Sequence, residues 1–360
     1  MLRKRQYTQT GTGTWAADSE ISVDIDKVGL ITRIDATAEI TPSATISAAY
    51  TITGGPFRIF EKLVIEGGSH TYITMPGDDG GVAGVLVHNM NEKDGHGPGH
   101  PTGAIGAPKN TATPVNLCFH MGSKPKMPSN PVVDNPYDLT AFIPAHNETQ
   151  LKIVWTTSGN DCIDATVTIT SAVLRLTLSV VNGSESEIRA EMARQGVRAS
   201  MKPAWTAELF THTAAKSDYT EERDVPLGAF LKRIALMCQD ATGDRPVIAT
   251  DEVTGMSLNL VLQNERLTRN YWHNFVCHNP MGSLLNPDDG ADVGGAGGFA
   301  LIMDLRPHAT TFPEYGLDLR GYTTGSVKLG LTISNYAGGD DSLIIYDRYM
   351  PYDGPLAAGG

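Results

Sequence analysis

Residues 224–234 read DVPLGAFLKRI, and residues 24–34 read DIDKVGLITRI. Asp24 matches Asp224, Ile25 matches Val225, and Arg33-Ile34 matches Arg233-Ile234, all at one offset of 200 positions. One match of this length is weak by itself, because β-branched and charged residues alternate in many unrelated sheets. A second follows in the same order. KLVIEGGSHT at 62–71 matches NLVLQNERLT at 259–268, with Leu63 over Leu260, Val64 over Val261, Ile65 over Leu262 and Thr71 over Thr268, an offset of 197. Trp15 and Trp205 each stand upstream of the first strand of their half. Each half then carries a long irregular region, roughly 76–135 and 270–298, before its closing strands. Matching segments in one order at a nearly constant offset point to an internal duplication.

Outward from these matches, almost every strong periodic signal has period two. SEISVDIDKVGLITRIDATAEI puts Ile21, Val23 and Ile25 on one face, and TQLKIVWTTSG, DATVTITSAVLRLTLSVV, GSVKLGLTIS and DSLIIYDRYM read the same way. Turn clusters such as Gly54-Gly55-Pro56 and Gly67-Gly68 separate these runs. The spacing predicts an all-β sandwich architecture, not a β-α-β alternation. The clearest helical signal is SESEIRAEMARQG at 184–196, where Ser184 and Glu187 form a capping box, Ile188 and Met192 share a face, and Gly196 supplies a stop. A weaker, glycine-rich helical turn could lie in PGDDGGVAGVLVHNMN at 76–91. The expected organisation is an arm at 1–14, a first sandwich at 15–183, a connecting helix and linker at 184–204, and a second sandwich at 205–360.

Composition agrees with two soluble domains. The 360 residues exceed what one core normally serves, and 41% hydrophobic with 19% charged residues is ordinary for a globular chain. No apolar run approaches the roughly 18–20 residues that span a bilayer. The basic start, MLRKRQYTQT, has no apolar stretch behind it, so no secretory signal is expected. Cys118, Cys162, Cys238 and Cys277 lie far apart without a CxxC pair, which argues against a metal knuckle and for reduced thiols in a cytoplasm. A net charge of −12 repels nucleic acid and suits a crowded particle or a soluble enzyme. Arg3, Lys4 and Arg5 are the local exception.

Two sandwiches in tandem with long loops between particular strands suggest jelly rolls. In this layout the chain resembles the double jelly-roll major capsid proteins, the family that builds the shells of tailless, often membrane-containing icosahedral phages and of adenovirus-like particles. The resemblance is carried by the two matched pairs, by GGPFRIFEKLVIEGG at 54–68, and by GLDLRGYTTGSVKLGLTIS at 316–334. It covers nearly the whole chain and is one of layout, with no diagnostic motif. It implies two eight-stranded jelly rolls standing side by side, with strands roughly normal to the shell. Three chains would then make a homotrimer with a pseudo-hexagonal outline. The loops at 76–135 and 270–298 would project or clamp neighbours, and the arm bearing Arg3, Lys4 and Arg5 would face an internal membrane or the genome. Neighbouring capsid trimers and minor capsid or vertex proteins are the implied partners, and the virion shell the implied location after synthesis in a host cytoplasm. No catalytic residue, cofactor or metal is implied.

The rival reading is a tandem jelly-roll enzyme. In VHNMNEKDGHGPGHPTG at 87–103, His88, Glu92, His96 and His100 are residue types that bind divalent metals, as in a cupin. Their spacing runs through Gly97-Pro98-Gly99, which is loop chemistry, and the second half has no counterpart. Asp288, Asp289 and Asp292 lack the Gly and terminal Glu of an EF-hand loop. A glycan hydrolase would need two facing carboxylates, one with a raised pKa; Glu39, Glu61, Glu66, Asp224 and Asp318 are the strand-borne candidates. No G-x-S-x-G elbow, phosphate loop or dinucleotide fingerprint occurs. The dispersed aromatics, 7% of residues, place a carbohydrate-binding sandwich below these readings.

Overall fold

The computed structural model describes residues 1–45, 58–75, 112–123, 126–127, 130–163, 166–211, 214, 216–239, 253–260, 265–270, 301–306, 312–336 and 341–358. The first half forms β1 (Arg3–Thr14), β2 (Glu20–Asp24), β3 (Leu30–Pro42), β4 (Phe60–Gly67), β5 (Thr71–Met75) and β6 (Thr113–His120). A short hairpin of β7 (Lys126–Met127) and β8 (Asn130–Asp134) precedes β9 (Leu151–Thr157) and β10 (Ile169–Asn182). Without that hairpin, eight strands build two four-stranded antiparallel sheets, ordered β1-β10-β3-β6 and β2-β9-β4-β5. Alternation drives the layering. In β3, Ile34, Ala36, Ala38 and Ile40 are buried while Arg33, Asp35, Thr37 and Glu39 face outward. Leu174, Leu176 and Leu178 of β10 join them against Leu63, Ile65, Ile153 and Trp155 of the facing sheet.

After helix α1 (Glu185–Arg194), the second half repeats the plan with β11 (Met201–Pro203), β12 (Thr206–Thr211), β13 (Lys216–Asp224), β14 (Phe230–Gln239), β15 (Val253–Leu260), β16 (Glu265–Asn270), β17 (Leu301–Asp304), β18 (Leu317–Asp318), β19 (Val327–Tyr336) and β20 (Asp341–Pro351). Here β20 pairs both β11 and β12, and the sheets run β12-β20-β14-β17 and β13-β19-β15-β16. Strand for strand this is the order of the first half. Each half is a jelly roll: two sheets built on eight corresponding strands with Greek-key connections, to which the second half adds the short β11 and β18.

The repeated undecapeptide falls at one structural position in both halves. Asp24 and Asp224 end the second strand; Leu30 and Phe230 open the third. Between them Ile25 N–H donates to Leu151 O (2.8 Å) and Val225 N–H to Val327 O (3.1 Å), the first residues of β9 and β19. Ile34 and Ile234 are both fully buried. The segment crosses from one sheet to the other, so its apolar letters must serve both layers.

The second match selects the same hairpin in both halves, β4–β5 and β15–β16, but in a displaced register. Leu63 lies opposite Trp155 in the middle of β9, whereas Leu260 lies opposite Val327; the residue opposite Leu151 is Gly67. The displacement is four residues along the strand. An even shift leaves each apolar residue on its own face, and Leu63, Ile65, Leu258 and Leu260 are all buried. That is why the letters matched although the register did not.

Three other expectations change. Residues 3–14, expected as an arm, are strand β1 in the ladder against β10. The region 76–135, expected to be irregular, contains β6, whose Val115, Leu117 and Phe119 alternate into the core and close the first sheet. Trp15 follows β1, while Trp205 precedes β12, so the two tryptophans are not equivalent. The helix matches its sequence signal: Ser184 caps it with a reciprocal Glu187 contact, and Gly196 N–H to Ala193 O with Val197 N–H to Met192 O closes the far end. Ile188 and Met192 pack on Leu30, Phe142 and Val181, so the helix closes one end of the first sandwich as well as connecting the two.

Candidate assembly surface

The most informative surface among the described residues is the seam where one sandwich seats against the other. The edge strand β5 of the first sandwich meets the chain just before β12. Trp205 N–H donates to Tyr72 O (2.9 Å) and Thr74 N–H donates to Trp205 O (3.1 Å). This joins Ile73 and Trp205 in a parallel bridge, whereas every ladder between the named strands is antiparallel. The edge that would otherwise present open N–H and C=O groups is thereby capped. Trp205 is 2% exposed and Ile73 fully buried, and one contiguous apolar core runs through both sandwiches.

Polar groups line this seam. The His70 ring nitrogen Nε2 lies 3.4 Å from Pro203 O, and the ring stands edge-on to Tyr72 at 4.8 Å. Burial, then the Lys202 charge, lowers the His70 pKa and favours the neutral ring. The Tyr72 hydroxyl donates to Glu148, whose other oxygen accepts from Gly68 N–H at 2.9 Å. Burial and that carboxylate push the phenol pKa up.

A second set of bonds ties the halves at the end occupied by α1. Phe142 N–H donates to Met201 O (3.0 Å) and the buried Tyr315 hydroxyl to Thr140 O (2.6 Å). The His146 ring bridges Gly29 O at 3.1 Å and Pro355 O at 3.0 Å. Tyr352 and Leu356, beyond β20, pack into the small core with Leu30, Phe142 and Ile188. Inside the second sandwich, Asp347 accepts from Arg233 at 2.6 Å with Lys232 at 3.9 Å, all buried. Such a pair adds little net stability, because desolvation offsets its attraction, but removing one partner would leave a buried charge uncompensated.

The basic residues Arg3, Lys4 and Arg5 stand opposite Asn182, Val181 and Val180 in β1, with exposed side chains. Lys4 Nζ is committed to Glu191 of α1 at 2.6 Å, and the Arg5 guanidinium lies 4.6 Å from the Tyr7 ring centre. Arg194, Lys4 and Gln195 together hold the Glu191 carboxyl down at about 2 despite its burial. These three basic residues belong to a sheet edge, not to a loose arm. On its far side β1 is open: among the described residues it pairs with β10 alone, and β16 pairs with β15 alone.

The candidate metal ligands His88, Glu92, His96 and His100, and the aspartates Asp288, Asp289 and Asp292, lie outside the described residues. Among the described residues no group of three His, Cys, Asp or Glu side chains is placed to hold a metal ion. The strand carboxylates are not brought together. Glu39, Glu66, Asp224 and Asp318 sit on four different sheets, paired with Arg175 (2.8 Å), Lys152 (2.8 Å), Lys328 (2.6 Å) and Arg320 (2.7 Å). Glu61 lies on β4, the strand that also carries Glu66. The Arg320 contact holds Asp318 below the usual carboxylate range, the opposite of what a general acid requires. Sequence reading missed the seam itself. Its one visible signal was Trp205, a lone large aromatic ahead of a polar strand.

No protein-family model matches the sequence, and no curated protein matches it. Solved structures do match in fold. The STIV major capsid protein aligns over 97% of this chain and 97% of its own, at 17% identity and a TM-score of 0.66. An atomic structure of Sulfolobus Turreted Icosahedral Virus aligns over 97% and 91%, at 16% identity and a TM-score of 0.66. The major capsid protein of bacteriophage PM2 aligns over 98% of both chains, at 9% identity and a TM-score of 0.55. At these identities the likeness is one of fold: the whole chain, both sandwiches in order, is similar to viral major capsid proteins.

Proposed function

We propose that this chain is the major capsid subunit of an icosahedral virus, a structural protein without catalytic activity or cofactor. The observation that carries the reading is that the match to capsid proteins extends over both jelly rolls and almost the full length of both chains. A jelly roll by itself hosts many functions, cupin enzymes included; two in tandem, seated edge to edge, are far more restrictive. Three copies form a homotrimer whose six sandwiches give a pseudo-hexagonal tile, and such tiles contact one another and minor capsid or vertex proteins in the virion shell. The division into a first sandwich, a helical connection and a second sandwich supplies the two near-equivalent units that such a tile needs. Arg3 and Arg5, on one face of β1 and exposed in an otherwise acidic chain, supply the positive charge directed toward anionic lipid or genome phosphates at the inner face, while Lys4 is held by Glu191.

Light scattering of the purified protein at micromolar concentration tests the reading. The expected mass is three times the 38.5 kDa chain, with six-lobed particles in negative stain. A stable monomer under native conditions would overturn it.

A further inference from the structure

We propose that the seam inside the chain is the template for the seam between chains: the edge of β1 at Gln6 adds in parallel to the edge of β16 at Leu267 of a second copy, both edges being unpaired among the described residues. The inference rests on the capsid reading and names the contact that builds the trimer.

The internal symmetry fixes the positions. Pro203 and Thr206 pair with Tyr349 and Tyr346, so Trp205 between them stands opposite Asp347, which pairs with Arg233. In the first sandwich the equivalent of Arg233 is Arg33; it pairs with Ser179, and Ser179 pairs with Gln6. Gln6 is therefore to the first sandwich what Trp205 is to the second. On the other side of the seam, Ile73 pairs with Ile65, which pairs with Ile153, the third residue of β9. Leu267 pairs with Leu258, which pairs with Leu329, the third residue of β19. Leu267 is the counterpart of Ile73.

Hydrogen-bond polarity agrees. Ala204 N–H points inward to Arg348 O (2.9 Å), and Trp205 N–H points outward to the neighbouring sandwich. By the same alternation the Gln6 N–H faces away from β10, into the unpaired edge. The contact is made by backbone, so it tolerates Gln6 where the internal seam has tryptophan. Lys202 and Arg3 are equivalent by the same register, a basic residue flanking both seams. Inside the chain the first sandwich offers its β5 edge to the second; between chains the second offers its β16 edge to the first of the next copy. This is a heterologous contact, and it closes after three chains when each sandwich is turned about 60° from the last.

Oxidative cross-linking tests the inference. Gln6→Cys combined with Leu267→Cys places two cysteines on adjacent strands with Cα atoms about 5 Å apart, within the range a disulfide spans. Oxidation of the assembled trimer is expected to give covalent dimers and trimers on non-reducing gels, with residues 6 and 267 joined by peptide mass mapping; either single variant gives none. Gln6→Pro is the second variant. It removes an outward N–H from an edge strand, a position where proline is tolerated. The chain should keep its wild-type circular dichroism while the concentration at half-trimerisation rises at least tenfold. A wild-type monomer would sink the capsid reading itself. A wild-type trimer that yields no 6–267 link, or that Gln6→Pro leaves unchanged, would overturn this contact alone.

Discussion

Two glycines share almost the same φ and differ in everything around them. Gly228 has φ 82° and Gly316 φ 83°. A Cβ on Gly228 would enter open space; one on Gly316 would come within 2.2 Å of Leu231 O and 2.6 Å of the Lys232 Cα. Gly316 also has ψ −150°, a region that is essentially glycine's own. Gly228→Ala should therefore cost about 1–2 kcal/mol, the penalty of a left-handed backbone. Gly316→Ala carries about 1–3 kcal/mol of conformational strain, and pushing packed backbone aside adds another 1–3 kcal/mol or so. The displaced element is β18, which pairs with Phe230 and Leu231 at the start of β14. The two substitutions should differ by about 2–3 kcal/mol in urea unfolding followed by tryptophan fluorescence. Equal midpoints would refute the view that β18 is pressed against β14 at this point.

Deleting residues 1–14 removes an edge strand and uncovers β10, so the truncated chain is expected in the insoluble fraction; a soluble, well-folded product would mean that β1 is dispensable. Tyr315→Phe removes the donor to Thr140 O across the two halves and should cost about 1–2 kcal/mol in the same unfolding assay. Glu191→Gln should lower Tm at neutral pH by about 2–4 °C. Because Arg194, Lys4 and Gln195 depress this carboxyl below its usual value of 4.5 to about 2, its contribution is complete above pH 4.5 and fades as pH falls toward 2. The Tm gap between wild type and Glu191→Gln should close over that window.

Legibility in the sequence followed how locally each element is specified. The crossing at 24–34 and 224–234 was readable because its apolar residues face two layers within eleven positions. The α1 helix was readable because both its caps are written in adjacent letters. Strand β1 was not, since RKRQYTQTGTGT buries little beyond Gln9 and Gly13 and is held by pairing to β10, not by an apolar face. Threonine at every second position, Thr8, Thr10, Thr12 and Thr14, was the β-propensity signal available. Strand β6 was masked by Pro114 at its start and by the glycine-rich text before it. The seam of Tyr72 with Trp205 joins distant residues through main-chain atoms, which no side-chain pattern records.

Tyr352 and Leu356 complete the small core beneath the first sandwich, yet they follow the entire second sandwich in the chain. During translation the first sandwich can therefore acquire its sheets early, but its lower end stays open, with Leu30, Phe142 and Ile188 uncovered, until the second has been made. The tail acts as a late latch. A chain that stops short of Tyr352 leaves this small core without the side chains that cover it from the second sandwich.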